Sequence, residues 1–131
     1  MSQFGVQVHG QSATKKSGNG ARRRSNRDKK RREVGSYFSA TKLSAENSSK
    51  TIRHRSGYTT TVLKAAGVAN VLTKEGMKKV KITGVLESKD NRNFARQNII
   101  TKGTIINTEL GKAVVTNRPG REGSVNAKIV D

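Results

Sequence analysis

The chain has 131 residues, with 27 Lys and Arg against 9 Asp and Glu, a formal net charge of +18, one proline and no cysteine. That length suits a single domain; the missing cysteines exclude disulfides, thiol catalysis and Cys-ligated zinc, and no apolar run approaches the roughly 18 residues of a membrane-spanning helix. Charge this one-sided opposes compaction through self-repulsion, and it is the electrostatic footprint of a phosphate-binding surface.

The first nine residues carry neither the positive start nor the apolar stretch of a signal peptide, so a soluble intracellular protein is expected. Phe4, Val6 and Val8 alternate with polar or small residues, the period of a short strand with one buried face. Residues 9–19 are small and polar and read as loop. Within them Gly10 to Ser17 has the outline of a phosphate loop, but Lys15 stands where that motif requires glycine and no full-length strand leads in, so a nucleotide site is rejected. Lys15 and Lys16 are better taken as contacts to phosphate.

Residues 22–32 hold eight basic side chains, one acid and nothing apolar, a net charge of +7 in eleven positions. Such a run cannot fold alone and is expected to stay extended until a dense array of negative charge neutralises it. Arg22, Arg23, Arg24 and Arg27 suit bidentate contacts to phosphate or stacking on bases; Lys29, Lys30, Arg31 and Arg32 add neutralisation. The Lys29 to Arg32 cluster would also pass for a nuclear import signal. Residues 34–43 form a small apolar island in which Tyr37 and Phe38 either stack on unpaired bases or anchor the arm on the domain. With no repeat of the pattern, anchoring is favoured.

Residues 1–45 contain 12 apolar positions and residues 46–131 contain 29, of which 16 are Val or Ile. A tail over 1–45 and a small domain rich in β-branched residues over 46–131 are therefore expected. Each part carries a net charge of +9, so the domain is basic as well. Residues 44–50 read as a polar linker. Residues 51–55 alternate as a strand ended by Ser56 and Gly57. Residues 59–71 read as a strand bent or bulged at Gly67. After a turn at Glu75 and Gly76, residues 77–86 set lysines against apolar groups in the pattern of a half-buried strand. Residues 87–93 read as loop. Residues 105–108 and 113–116 form a hairpin across residues 109–112. Pro119 and Gly120 fit the centre of a type II turn, and the last strand, residues 124–130, turns Val125, Ala127 and Ile129 inward. Short strands separated by glycine turns predict an all-β fold, a small closed or partly open β-barrel carrying a long extended basic N-terminal tail.

Three stretches of the C-terminal third also resemble a known family: Asn98-Ile-Ile-Thr-Lys-Gly103, Thr108-Glu-Leu-Gly111, and Arg118-Pro-Gly120 with Gly123 and Val125-Asn-Ala127. Together they look like the closing signature of the archaeal and eukaryotic small-subunit ribosomal protein S8e family, and the short length resembles the archaeal form. Looser matches lie at His9-Gly10, Lys16 to Gly18, the basic cluster ending at Arg32, Gly35, Thr41 to Leu43, and Arg53 with Arg55. The chain departs from the family at Gly18-Asn19-Gly20, where a paired glycine is usual. It departs again at Ser56-Gly57-Tyr58, where Gly-Gly-Asn is usual, and at Arg121-Glu122 after the Pro-Gly pair. The resemblance implies a structural component of the small ribosomal subunit in the cytoplasm, bound to 16S rRNA beside neighbouring small-subunit ribosomal proteins, with no cofactor, membrane or small-molecule substrate. Carried onto this sequence, the RNA-binding set comprises the tail residues named above together with Lys42, Arg53, Arg55, Lys102 and Arg118.

Two other functions compete. Catalysis has only His9 and His54 to draw on, each without a carboxylate within three residues, and the nine acids give no paired-carboxylate or metal pattern. An architectural DNA binder with a basic tail shares the charge and is separated from an rRNA binder only by what it is recovered with.

Overall fold

The structure, a computed structural model, describes residues 18–21 and 38–130. Backbone contacts divide the chain into two units, Met1–Phe38 and Ser39–Asp131. In the first, residues 18–21 form a turn in which the Ala21 N–H donates to Asn19 Oδ1 at 3.0 Å, with Gly18 and Gly20 at positive φ. The strand expected around Phe4 to Val8, the run of residues 22–32 and Tyr37 lie outside the described residues.

The second unit begins with β1 (Thr41–Leu43), β2 (Ser48–Arg53), a 3-10 turn (Arg55–Gly57), β3 (Thr59–Ala66), β4 (Val68–Thr73) and β5 (Gly76–Glu87). It continues through α1 (Arg92–Arg96), β6 (Ile99–Ile100), β7 (Ile105–Thr108), β8 (Gly111–Val115), α2 (Pro119–Glu122) and β9 (Asn126–Ile129). Strands β4, β5, β7, β8 and β9 close into a barrel. All neighbours run antiparallel except β4 and β9, which pair in parallel with Asn70 opposite Asn126. The period of two chooses the core: Ala69 and Val71, Val80 and Ile82, Ile106, Ala113 and Val115, and Ala127 are buried, while the residues between them face outward or are half-buried. Three of these are alanines, which keep the interior narrow enough for five strands. The twelve residues of β5 bend around the barrel through register shifts between Ile82 and Gly84 and between Val85 and Glu87.

A second sheet, in the order β2-β3-β1-β6, was not foreseen. Its inner strands are β3 and β1, and β1 runs parallel to β3 and antiparallel to β6. Thr41 on β1 is completely buried, and its hydroxyl donates to the Leu63 carbonyl at 2.8 Å. The expected bend at Gly67 is real and divides the run into two strands of different sheets. A Cβ at Gly67 would meet the carbonyl oxygens of Ala45 and Ser44, the latter at 2.6 Å, so the chain there passes where only glycine fits. The expected linker also shortens, because β2 starts at Ser48.

Two further expectations change. The expected loop over residues 87–93 gives way at Arg92 to α1, capped by Asn91, whose side chain accepts from the Asn93 N–H at 2.9 Å. Pro119 and Gly120 open the single helical turn α2 in place of a type II turn; the left-handed residue is Gly123, at φ 73, where a Cβ would press on Thr61. Proline at the first helical position loses no hydrogen bond. The expected hairpin of β7 and β8 forms, but with a tighter connection than the four residues 109–112: Thr108 is opposite Gly111 across two residues, and β8 begins at Gly111.

Candidate nucleic-acid interface

Alternation that buries one side of each barrel strand leaves the other side to lysine. Lys79 and Lys81 stand on the outer face of β5, opposite Asn70 and Val68 of β4. Asn70 is in turn opposite Asn126 of β9, and its Nδ2 donates to Asn126 Oδ1 at 3.1 Å. A cation and two linked amides thus form a row across three strands. Two residue pairs along, on the same face, Lys128 of β9 lies opposite Leu72 of β4 and Val114 of β8. The row presents both ammonium and amide donors, the chemistry that takes phosphate oxygens.

Each basic residue expected in the interface and described here is exposed. Lys42 projects from β1 between the inward Thr41 and the half-buried Leu43. Lys102 rides a turn held by two bonds. The Thr101 N–H donates to Thr104 Oγ1 at 3.1 Å, and the Gly103 N–H donates to the Val115 carbonyl at 2.8 Å. Arg118 caps α2, and its carbonyl accepts from the Arg121 and Glu122 N–H groups at 2.9 and 3.0 Å. Because the Gly103 bond ties the Lys102 turn to the end of β8, three residues before Arg118, these two cations belong to one end of the barrel.

Arg53 and Arg55 flank His54 at the tip of the β2–β3 hairpin. The six residues of β2 are all exposed, and β2 is an edge strand. Lys15, Lys16, Arg22, Arg23, Arg24, Arg27, Lys29, Lys30, Arg31 and Arg32 lie outside the described residues. Lys79, Lys81 and Lys128 were missing from the expected set, though the alternation of lysine with Val80 and Ile82, and of Lys128 with Ala127 and Ile129, was the signal that marked them.

Among the described residues one ion pair occurs, Lys78 Nζ to Glu75 Oε2 at 2.6 Å in the turn between β4 and β5. Exposed on both sides, it contributes little. The remaining described cations have no carboxylate partner. No group of three or more His, Asp or Glu able to hold a metal is found among the described residues. His54 Nε2 is 2.7 Å from Thr60 Oγ1, and its ring lies against Tyr58.

Fold and surface together define a small basic β-barrel protein whose described cations, Lys78 apart, face solvent without a carboxylate partner. A model of the family "Ribosomal protein S8e" matches residues 10–130, and the chain belongs to that family. Among its relatives, the small ribosomal subunit protein eS8 of Sulfolobus acidocaldarius is 45% identical over 113 residues, 85% of this chain and 88% of its own length. The protein of that name from Hyperthermus butylicus is 42% identical over 125 residues, 94% of this chain and 91% of the relative. The one from Methanococcus vannielii is 39% identical over 122 residues, 92% and 95% of the two chains.

Proposed function

We propose that this chain is a structural, non-catalytic constituent of the small ribosomal subunit in the cytoplasm, where it binds and braces 16S rRNA and packs beside other small-subunit proteins. The excess of cations carries the proposal. The chain carries a net charge of +18 and its described residues make one ion pair, a self-repulsion that a polyanionic partner relieves. Membership in the S8e family and the printed names of its relatives support the choice of the small subunit.

The work is divided between two parts, a basic N-terminal tail and the β unit that begins at Ser39 and includes β1. Lys15, Lys16 and the cations of residues 22–32 supply a dense set of phosphate contacts. Lys42, Arg53, Arg55, Lys102 and Arg118, with the row around Lys79, fix the barrel on the RNA. Phosphate contacts set position and carry little sequence information, so the choice of site lies in RNA shape. Each phosphate neutralised lowers log affinity by roughly 0.7 to 0.9 per decade of salt.

The test is to fractionate lysate at moderate salt. Sedimentation with small subunits is the expected result; recovery with chromosomal DNA and none with the small subunit would overturn it in favour of an architectural DNA binder.

A further inference from the structure

We propose that the tip of the β2–β3 hairpin is a base-stacking site, in which the ring of Tyr58 takes one unpaired RNA base while Arg53 and Arg55 hold the phosphates on either side. This rests on the reading that the chain binds rRNA and names a subsite within it. Tyr58 is 65% exposed, an unusual position for a large ring in a chain with five aromatics.

The ring is nevertheless held. The His54 N–H donates to the Tyr58 carbonyl at 2.6 Å, closing the loop at its neck. His54 Nε2 and Thr60 Oγ1, 2.7 Å apart, fix the imidazole. That imidazole then lies beside the Tyr58 ring, with centroids 5.7 Å apart and planes inclined by 32°, within the range in which aromatic pairs attract. Between them Ser56 and Gly57 both take positive φ, at 67° and 81°, and turn the chain tightly enough to bring the two rings together.

Nothing in the hairpin asks for this arrangement on grounds of stability. All of residues 48–59 are exposed, so Tyr58 covers no core. A ring fixed in solvent on a hairpin tip that also carries two exposed arginines, neither with a carboxylate partner among the described residues, is instead the arrangement that grips single-stranded nucleic acid. Every base has a π face, stacking on an aromatic side chain is worthwhile whatever the base, and neighbouring arginines take the backbone. A double helix offers no free base face at this spot, so the ligand is a loop, bulge or splayed nucleotide.

The experiment measures affinity of the full chain for 16S rRNA at fixed salt. Tyr58→Ala is expected to bind about tenfold more weakly, Tyr58→Phe within about twofold of wild type, and Tyr58→Leu as weakly as the alanine variant, all three with the wild-type dependence on salt because no phosphate contact changes. A leucine variant as good as phenylalanine would overturn stacking in favour of a plain apolar contact. An alanine variant that binds like wild type would overturn the subsite and leave the rRNA reading standing. Failure of the wild type to bind 16S rRNA would overturn both. A second measurement does not depend on the folding of a truncated side chain. The chain has two tyrosines and no tryptophan, so in a Tyr37→Phe variant the emission comes from Tyr58 alone. Added oligouridylate should quench it, and unchanged emission at saturating oligouridylate would reject the proposal.

Discussion

Ile106 on β7 is completely buried, whereas Ile52 on β2 is 39% exposed, although both are isoleucines in antiparallel strands. The barrel strand is paired on both edges and has a core beneath it; β2 is paired on one edge and every residue of it meets solvent. Strand formation therefore serves two purposes in one unit. In the barrel it buries apolar area, at about 25 cal/mol per Å². In the hairpin it sets Arg53, Arg55 and Tyr58 at fixed spacings in solvent, held by backbone hydrogen bonds and contributing little to stability. Regular secondary structure alone is thus no guide to where the folding energy lies.

Four perturbations sharpen this contrast. The largest effect is expected from where the chain is made to start. A version beginning at Ser39 should keep the cooperative unfolding of the whole domain. One beginning at Glu46 lacks β1, the strand that joins β3 to β6, and should lose cooperative unfolding in urea or melt well below the first. Next is Ile106→Ala, which should cost about 3 kcal/mol in urea unfolding through lost burial and an unfilled cavity. Thr41→Val deletes the buried bond to the Leu63 carbonyl without changing shape and should cost about 1 kcal/mol. Ile52→Ala removes the same atoms as the Ile106 change and should cost less than about 1 kcal/mol. Equal losses for the two isoleucine variants would break the comparison.

The barrel was legible in the sequence because its signals are local: Val80 and Ile82 alternate with lysines, Val125, Ala127 and Ile129 alternate with polar residues, and Gly67 marks a bend. The second sheet was not, because β1 has three residues and β6 two, too short for any period to register, and their pairing joins segments far apart in sequence. α1 and α2 failed for the same reason, five and four residues being about one turn each. Of the interface, exposure of Lys42, Arg53, Arg55, Lys102 and Arg118 followed from charge alone. The row from Lys79 through Asn70 to Asn126 depends on register, which sequence leaves open. The pairing of His54 with Tyr58 depends on two successive positive φ values, one of them at a serine.

The barrel's one parallel seam, β4 against β9, joins positions as far apart as Asn70 and Asn126, 56 residues in sequence. A growing chain cannot complete that seam until its closing strand has been synthesised, so β4, once made, keeps an open edge until the last few residues of the chain are added. Contacts of such long range also form slowly. Residues 126–129 accordingly act as a latch, and a premature stop a few codons upstream of them would release not a slightly shorter barrel but an unsealed sheet prone to pairing with other chains.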